Sequence, residues 1–327
     1  MRVLITGITG MVGSHLAEYL LASQPSVEVH GLIRWRSPLE NILHVKERLN
    51  LHDADLRDLH SVVKALQAAR PDRIFHLAAQ SYVGSSFTMP VETLTTNVIG
   101  TTNLLDAVRL VGIDPLIHVC SSSEVYGQVK REEVPIRETH PFRPASPYAV
   151  SKVAEDLIAY QYHLSYQLKT IRTRMFTHTG PRRGDVFAES WFAKQIAEIE
   201  AGLRRGPVRV GNLDSVRTVA DVRDAVRAYW LLLEKCPPGE VYNIGGLRTT
   251  TVGEILEMLK SMARCKIAHD VDPALLRPSD VTLQIPDISK FQRATGWAPE
   301  IPLDTTLEDL LNYHRERVAA WQREAVR

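Results

Sequence analysis

A tyrosine and a lysine stand four apart in the stretch SPYAVSKVAED, as Tyr148 and Lys152, at the head of an apolar-periodic run. Ser146 reads as a helix N-cap and Pro147 as a first-turn residue, because proline's missing N–H costs nothing there. Residues four apart share one face of a helix, so the hydroxyl and the ammonium can reach a single point. The lysine's charge would lower the phenol's pKa and fit it to exchange a proton with an alcohol. An isolated pair of this kind is more often a half-buried tyrosine beside a lysine whose stem covers apolar surface. The rest of the chain lifts this pair above that reading. CSSSEVYG (120–127) ends a β-branched run with small hydroxylated residues, and in extended backbone Ser122 and Glu124 point to the same side. If the Tyr148 helix starts near that edge, Ser122, Tyr148 and Lys152 converge.

A hydride carrier for such a site is signalled at the N-terminus. TGITGMVG spaces Gly7, Gly10 and Gly13 three apart between a strand-like RVLIT and a helical MVGSHLAEYLLAS. Without Cβ atoms these positions let the backbone turn tightly and approach a pyrophosphate at the positive helix N-terminus. An acidic residue binding the ribose 2′-hydroxyl of NAD is expected about 20 residues on. GLIRWRS supplies Arg34 and Arg36 there and no carboxylate. A guanidinium suits the 2′-phosphate of NADP, so NADP is the expected cofactor, with NAD the alternative. Asp55, after a third strand, is a candidate partner for the adenine.

The elements that must position these groups alternate. RVLIT (2–6), VEVHGLI (27–33), RIFHLAA (73–79) and PLIHVCSSS (115–123) are separated by helical runs such as LRDLHSVVKALQAA and GTTNLLDAVRLVG. Alternation of this kind predicts right-handed crossovers and a doubly wound parallel α/β sheet, Rossmann-like, over residues 1–176. Beyond it the pattern loosens into a smaller mixed C-terminal domain, 177–327, of which 219–245 is expected to return to the sheet. Helices near 97–111 and 148–166 carry apolar residues on more than one face, among them Leu104, Leu105, Val108, Leu157, Ile158 and Tyr162. A homodimer seam is expected there.

Composition narrows the partners. Lysine plus arginine number 39 against 38 acidic residues, so no global field favours nucleic acid or a membrane surface. No apolar run approaches the roughly 20 residues needed to span a bilayer, and the chain opens directly on a strand rather than on a signal segment. Cysteines 120, 236 and 265 lack metal-ligand spacing and cannot all pair, which fits a reduced, cytoplasmic compartment. No metal site is expected, and His76 and His178 read as buried structural histidines.

TGITGMVG, HLAAQSYVG, SSSEVYG and SPYAVSK together resemble the extended short-chain dehydrogenase/reductase family in its nucleotide-sugar branch, across essentially the whole chain. The resemblance implies an enzyme with tightly held NADP(H) and a C-terminal lobe gripping a nucleotide-diphosphate sugar, expected to be GDP-linked. By it Tyr148 is the acid/base, Lys152 its partner, and Ser122 the hydroxyl at the sugar's C4 oxygen. Thr9, Met11, Val12, Leu56, Leu77, Ala78 and Ala79 join the glycines, Arg34 and Asp55 around the cofactor. Ser81, Thr177, Lys194, Arg217 and Arg277 fall on the substrate side, with Arg182 a further candidate. Thr177 stands where relatives carry asparagine. Three reactions fit the set: 4,6-dehydration of GDP-mannose, in which Glu124 removes the C5 proton, reduction of a 4-keto sugar, and 4-epimerisation. A dinucleotide-binding protein without turnover is the remote alternative.

Overall fold

The computed structural model describes residues 1–276 and 280–325. Seven strands form one parallel sheet: β1 (Arg2–Thr6), β2 (Glu28–Ile33), β3 (Asn50–Asp53), β4 (Arg73–His76), β5 (Leu116–Ser122), β6 (Lys169–Met175) and β7 (Val241–Ile244). Their spatial order is β3-β2-β1-β4-β5-β6-β7. The order reverses between β1 and β4, the crevice where doubly wound sheets bind ligands.

Alternation along β1 shows how the sheet is covered on both faces. Val3 and Ile5 point one way, into a cluster with Leu16 and Leu20 of α1 (Met11–Ser23); Leu4 points the other. Leu4 packs with Val62 and Leu66 of α2 (Leu59–Ala69) and with Leu104 and Leu105 of α3 (Gly100–Val111). Helix α4 (Pro147–Tyr166) lies on this second face, contributing Ala159 and Tyr162. The first face is completed by Tyr229, Trp230 and Leu233 of α5 (Val222–Lys235). Both α5 and β7 come late in the chain, and β7 pairs with β6 at the sheet edge.

Two boundaries move for local reasons. Helix α2 starts at Leu59 because the Asp58 side chain caps the amides of His60 and Ser61. Strand β4 stops at His76, since the amides of Leu77 and Ala78 turn to the Thr6 hydroxyl, both at 3.1 Å.

Outside the sheet, short strands pair in small ladders. Val216–Thr218 joins Thr249–Thr251 and Leu283–Gln284, and Val208–Val210 joins His269–Val271. They pack with the helices Ala188–Glu200, Val252–Ser261 and Leu303–Ala325 around Phe192, Ile196, Leu256 and Leu307. No helix among the described residues is long and apolar enough to cross a membrane.

Candidate active site

The three glycines of the first turn are not equivalent. Gly7 adopts φ +71°, and a Cβ on it would lie 2.9 Å from the Ala78 backbone. A Cβ on Gly13 would lie 2.3 Å from the Gly7 carbonyl oxygen, whereas one on Gly10 meets only that oxygen, at 3.3 Å. Gly7 and Gly13 therefore permit close backbone packing, and Gly10 keeps the approach to α1 bare. The Gly10 N–H closes the turn on the Gly7 carbonyl at 3.0 Å, and no side chain caps α1. Its first-turn amides, next to Met11 and Val12, remain available to an anion. The Thr9 carbonyl accepts from Asn41 Nδ2 at 2.9 Å, which fixes the loop. This bare, amide-lined cradle fits the diphosphate of a dinucleotide.

Beyond β2 a cavity of about 560 Å³ is lined by Arg34, Trp35, Arg36, Asp55 and Arg57. The Arg36 guanidinium stacks on the exposed Trp35 ring, 4.4 Å from its centroid. Asp55 is gripped by Arg57, with side-chain contacts at 3.0, 3.2 and 2.6 Å, and these hydrogen bonds hold its carboxyl below the usual range. Its neighbour Leu56 is buried in the core of the second sheet face. Trp35 and Arg57 were not singled out from the sequence. The GLIRWRS run shows the first as plainly as its arginines, but the second becomes visible only when the loop after β3 folds beside the loop after β2. A larger open groove of about 800 Å³ lies at the amino ends of β5 and β6, away from these groups.

At the carboxyl end of β5 the predicted hydroxyl and amine groups converge. Ser146 caps α4 by accepting from the Ala149 N–H at 3.0 Å, with Pro147 in the first turn. Tyr148 and Lys152 then face β5 and are buried. The Tyr148 phenol hydrogen-bonds the Ser122 side chain. The Lys152 ammonium lies 5.9 Å from the Tyr148 ring centroid and donates to the Cys120 carbonyl at 3.0 Å. It also donates to Glu155 Oε2 at 2.9 Å. The expected lowering of the phenol pKa is not the net result: burial raises it above the usual value, outweighing the Lys152 charge and the Ser122 hydrogen bond. Part of that charge is directed at Glu155, which the sequence did not flag.

Glu124 also differs from its expected setting. Strand β5 ends at Ser122, and Ser123–Tyr126 forms a 3₁₀ turn, so Glu124 is not in extended backbone. Its N–H is capped by the Ser122 hydroxyl at 3.2 Å, which keeps the two residues adjacent by a turn rather than by strand alternation. Glu124 is half-buried.

The β4–α3 connection holds this constellation against the glycine turn after β1. Leu77 and Ala78 pass over Gly7, followed by Ala79 and the exposed Ser81. Asn97, in a π-helical turn at Thr95–Ile99, donates to the Gln80 carbonyl at 3.0 Å and to Ser151 on α4 at 2.8 Å. Such bulges recur at functional sites, but none is readable from composition. His76 bridges Thr6 and Thr101, both at 2.9 Å, and burial drives its pKa to about 3. Burial likewise lowers His178 to about 4.

The substrate-side candidates are more dispersed. Thr177 follows β6, and its carbonyl accepts from Ala220. Arg217 donates to Gln284 at 3.3 Å and to the Val281 carbonyl at 3.2 Å. Lys194 is held by Asp185 at 2.5 Å. Arg182 is drawn to Ser14 and Glu18 on α1 and braces the fold there. Its neighbour Arg183 instead lies 3.5 Å from the Phe187 ring centroid, close enough to Tyr148 for their charges to interact. Arg277 lies outside the described residues.

This sheet, its bare first turn and the buried hydroxyl–amine pair are those of an extended short-chain dehydrogenase/reductase acting on nucleotide sugars. More narrowly, the chain belongs to the GDP-mannose 4,6 dehydratase family, which it matches over residues 4–310. A GDP-mannose 4,6-dehydratase of Yersinia enterocolitica is 33% identical over 350 aligned residues, covering 95% of this chain and 92% of that protein. A GDP-6-deoxy-D-mannose reductase of Pseudomonas aeruginosa is 33% identical over 318, covering 97% and 98%. Among solved structures, RMD from Pseudomonas aeruginosa complexed with NADPH superimposes with a TM-score of 0.83 at 31% identity, covering 97% of this chain and 99% of that one. The UDP-glucose 4-epimerase of Thermus thermophilus, complexed with NAD, gives 0.84 at 31% identity, covering 96% and 99%.

Proposed function

We propose that the protein is a GDP-mannose 4,6-dehydratase using NADP. The observation that carries this reading is Glu124, a carboxylate presented in the same turn as Ser122 at the carboxyl end of β5. Oxidation or reduction at C4 needs only Ser122, Tyr148 and Lys152; an additional acid–base group has a use only where C5 is deprotonated. Gly7, Gly10 and Gly13 would hold the dinucleotide, which would supply reversible hydride-transfer chemistry to the sugar. Tyr148 Oη takes the C4 hydroxyl proton, steadied by Lys152 and by Ser122 at the same oxygen. Glu124 takes the C5 proton, and the C6 hydroxyl leaves as water with the proton that Tyr148 took from the C4 hydroxyl. A solvent-exchangeable proton is delivered to C5 through Glu124 as C6 is reduced, so the net change is loss of one water with no net oxidation. Arg217, Arg277, Lys194, Thr177 and Ser81 are proposed to hold the nucleotide and sugar, with the 177–327 region apart from 219–245 supplying most of that grip.

The test is incubation with GDP-mannose and no added cofactor in deuterated solvent, read by mass spectrometry. Loss of water with deuterium entering at C5 supports the reading, and Glu124→Gln should abolish both while bound cofactor is still reduced by the sugar. Consumption of NADPH with a 4-keto sugar, and no dehydration, would replace it with the reductase. One observation favours that second reading. The alignment with the Pseudomonas reductase is almost continuous, whereas the Yersinia dehydratase needs a longer alignment over less of this chain and so carries insertions absent here.

We further infer a cytoplasmic homodimer. The described residues contain no disulfide, and Cys120, Cys236 and Cys265 are free. Leu104, Leu105 and Val108, quoted for the dimer seam, are fully buried under the sheet and cannot form one. Ile99, Leu110, Leu157 and Leu164 on the same two helices are exposed and take their place. Leu157→Glu with Leu164→Glu should sediment as a monomer if this face pairs.

A further inference from the structure

Lys152 is not alone in its buried site. One helical turn on, Glu155 meets it with side-chain exposures of 6% for the lysine and 1% for the glutamate. Glu155 Oε2 accepts from the ammonium at 2.9 Å, while Oε1 is buried with no hydrogen-bond partner. The adjacent carboxylate, Asp156, is fully occupied by two other cations, Arg172 at 2.9 Å and Arg174 at 2.8 Å. Among the described residues, Lys152 is the cation bridged to Glu155. A carboxylate half satisfied at this depth is costly unless something is gained by holding the ammonium.

We propose that Glu155 is a positioning residue for the acid–base pair: it anchors the Lys152 ammonium beside Tyr148 and offsets part of the charge that Lys152 would otherwise direct at the phenol. The proposal rests on the reading of Tyr148 and Lys152 as that pair. Two of the three ammonium donors are committed, to Glu155 and to the Cys120 carbonyl, so the side chain cannot swing along the helix. Around the carboxylate stand Lys152, Tyr148 and Asp156 on α4, and Cys120 on β5 with Tyr229 of α5 against it. His118 on β5 and His76 on β4 also feel the lysine, but burial keeps both neutral. Once ionised, Glu155 supplies the negative charge that balances Lys152. Burial pushes its own carboxyl up to about 7 against the pull of the ammonium, and it helps to keep the Tyr148 phenol high.

The test reads Tyr148 directly and needs no sugar substrate, so an error in the assigned reaction leaves it intact. The tyrosinate absorbance titration of the holoenzyme is taken as the difference between wild type and Tyr148→Phe, then repeated in a Glu155→Gln background. Glu155→Gln keeps the shape and an acceptor for Lys152 but removes the charge. The Tyr148 midpoint should fall by on the order of one pH unit, as expected for losing a like charge within several ångströms in a partly screened interior. The midpoint of Glu155→Asp, which retracts the carboxylate but keeps its charge, should fall less. A midpoint unchanged in folded Glu155→Gln overturns the proposal. If that variant does not fold, a Glu155→Asp midpoint equal to wild type overturns it, and failure of both to fold assigns Glu155 to core stability alone.

Discussion

Alanine at each glycine of the first turn offers a sharp check, because sequence spacing makes the three look alike and the fold does not. At Gly13 the new Cβ would stand 2.3 Å from the Gly7 oxygen and 2.7 Å from Ile8 Cα, both backbone atoms that no side-chain rotation can move. Helix α1 must shift outward, at the 1–3 kcal/mol typical of overpacking, relieved by about 1 kcal/mol from alanine's better helix propensity. At Gly7 the contact with Ala78, at 2.9 Å, is compounded by φ +71°, which adds roughly 1–2 kcal/mol for a residue bearing Cβ. Gly10 has φ −76° and a single 3.3 Å contact, so its cost stays near the ~0.5 kcal/mol of a poorer N-cap. Urea unfolding followed by tryptophan fluorescence should rank the losses Gly7→Ala, then Gly13→Ala, then Gly10→Ala. Calorimetric titration with NADP should show Gly13→Ala weakened at least tenfold, which requires about 1.4 kcal/mol. A Gly7→Ala variant as stable as Gly10→Ala would overturn this ranking, because it would mean that the turn yields wherever it is crowded.

Three further outcomes follow from the site. Arg34→Asp should flatten or reverse a preference for NADP over NAD, measured as a ratio of dissociation constants; a wild type that binds NAD more tightly would remove Arg34 from the argument. Tyr148→Phe should lower turnover by about 10²–10⁴ with cofactor affinity retained; near-normal turnover would move the chemistry elsewhere. Burial lowers His76 and His118 to about 3 and His178 and His314 to about 4, so the fold holds them neutral while the unfolded chain protonates below about pH 6.5. Their stabilisation is present above that unfolded value and is lost as pH falls toward the folded ones. Glu155, raised to about 7, titrates in the opposite sense, leaving roughly two net protons and a loss of about 3 kcal/mol per pH unit between about pH 6.5 and 5. Urea unfolding free energies that stay flat across that interval would count against this account.

What the sequence determined by itself was whatever a few neighbouring residues settle among themselves. Helix α1 spans the MVGSHLAEYLLAS run, and α4 opens on the Ser146 cap and Pro147, because caps and helical periodicity act within one turn. The parallel sheet was legible from alternation, since strands separated by helices have few ways to pack. Tertiary structure decided what depends on partners far along the chain. Asp55 is held by Arg57 at the mouth of the cavity beyond β2, and Arg182 is drawn onto α1, leaving Arg183 nearer Tyr148. Leu104 and Leu105 face the sheet rather than a second subunit, because they pack with Leu4 of β1 and with Val62 and Leu66 of α2. The acidity of Tyr148 is the clearest instance. Four-residue spacing put a positive charge beside it, but the depth of the site and Glu155 set the net shift, and desolvation depends on everything packed around a group rather than on its neighbours in sequence.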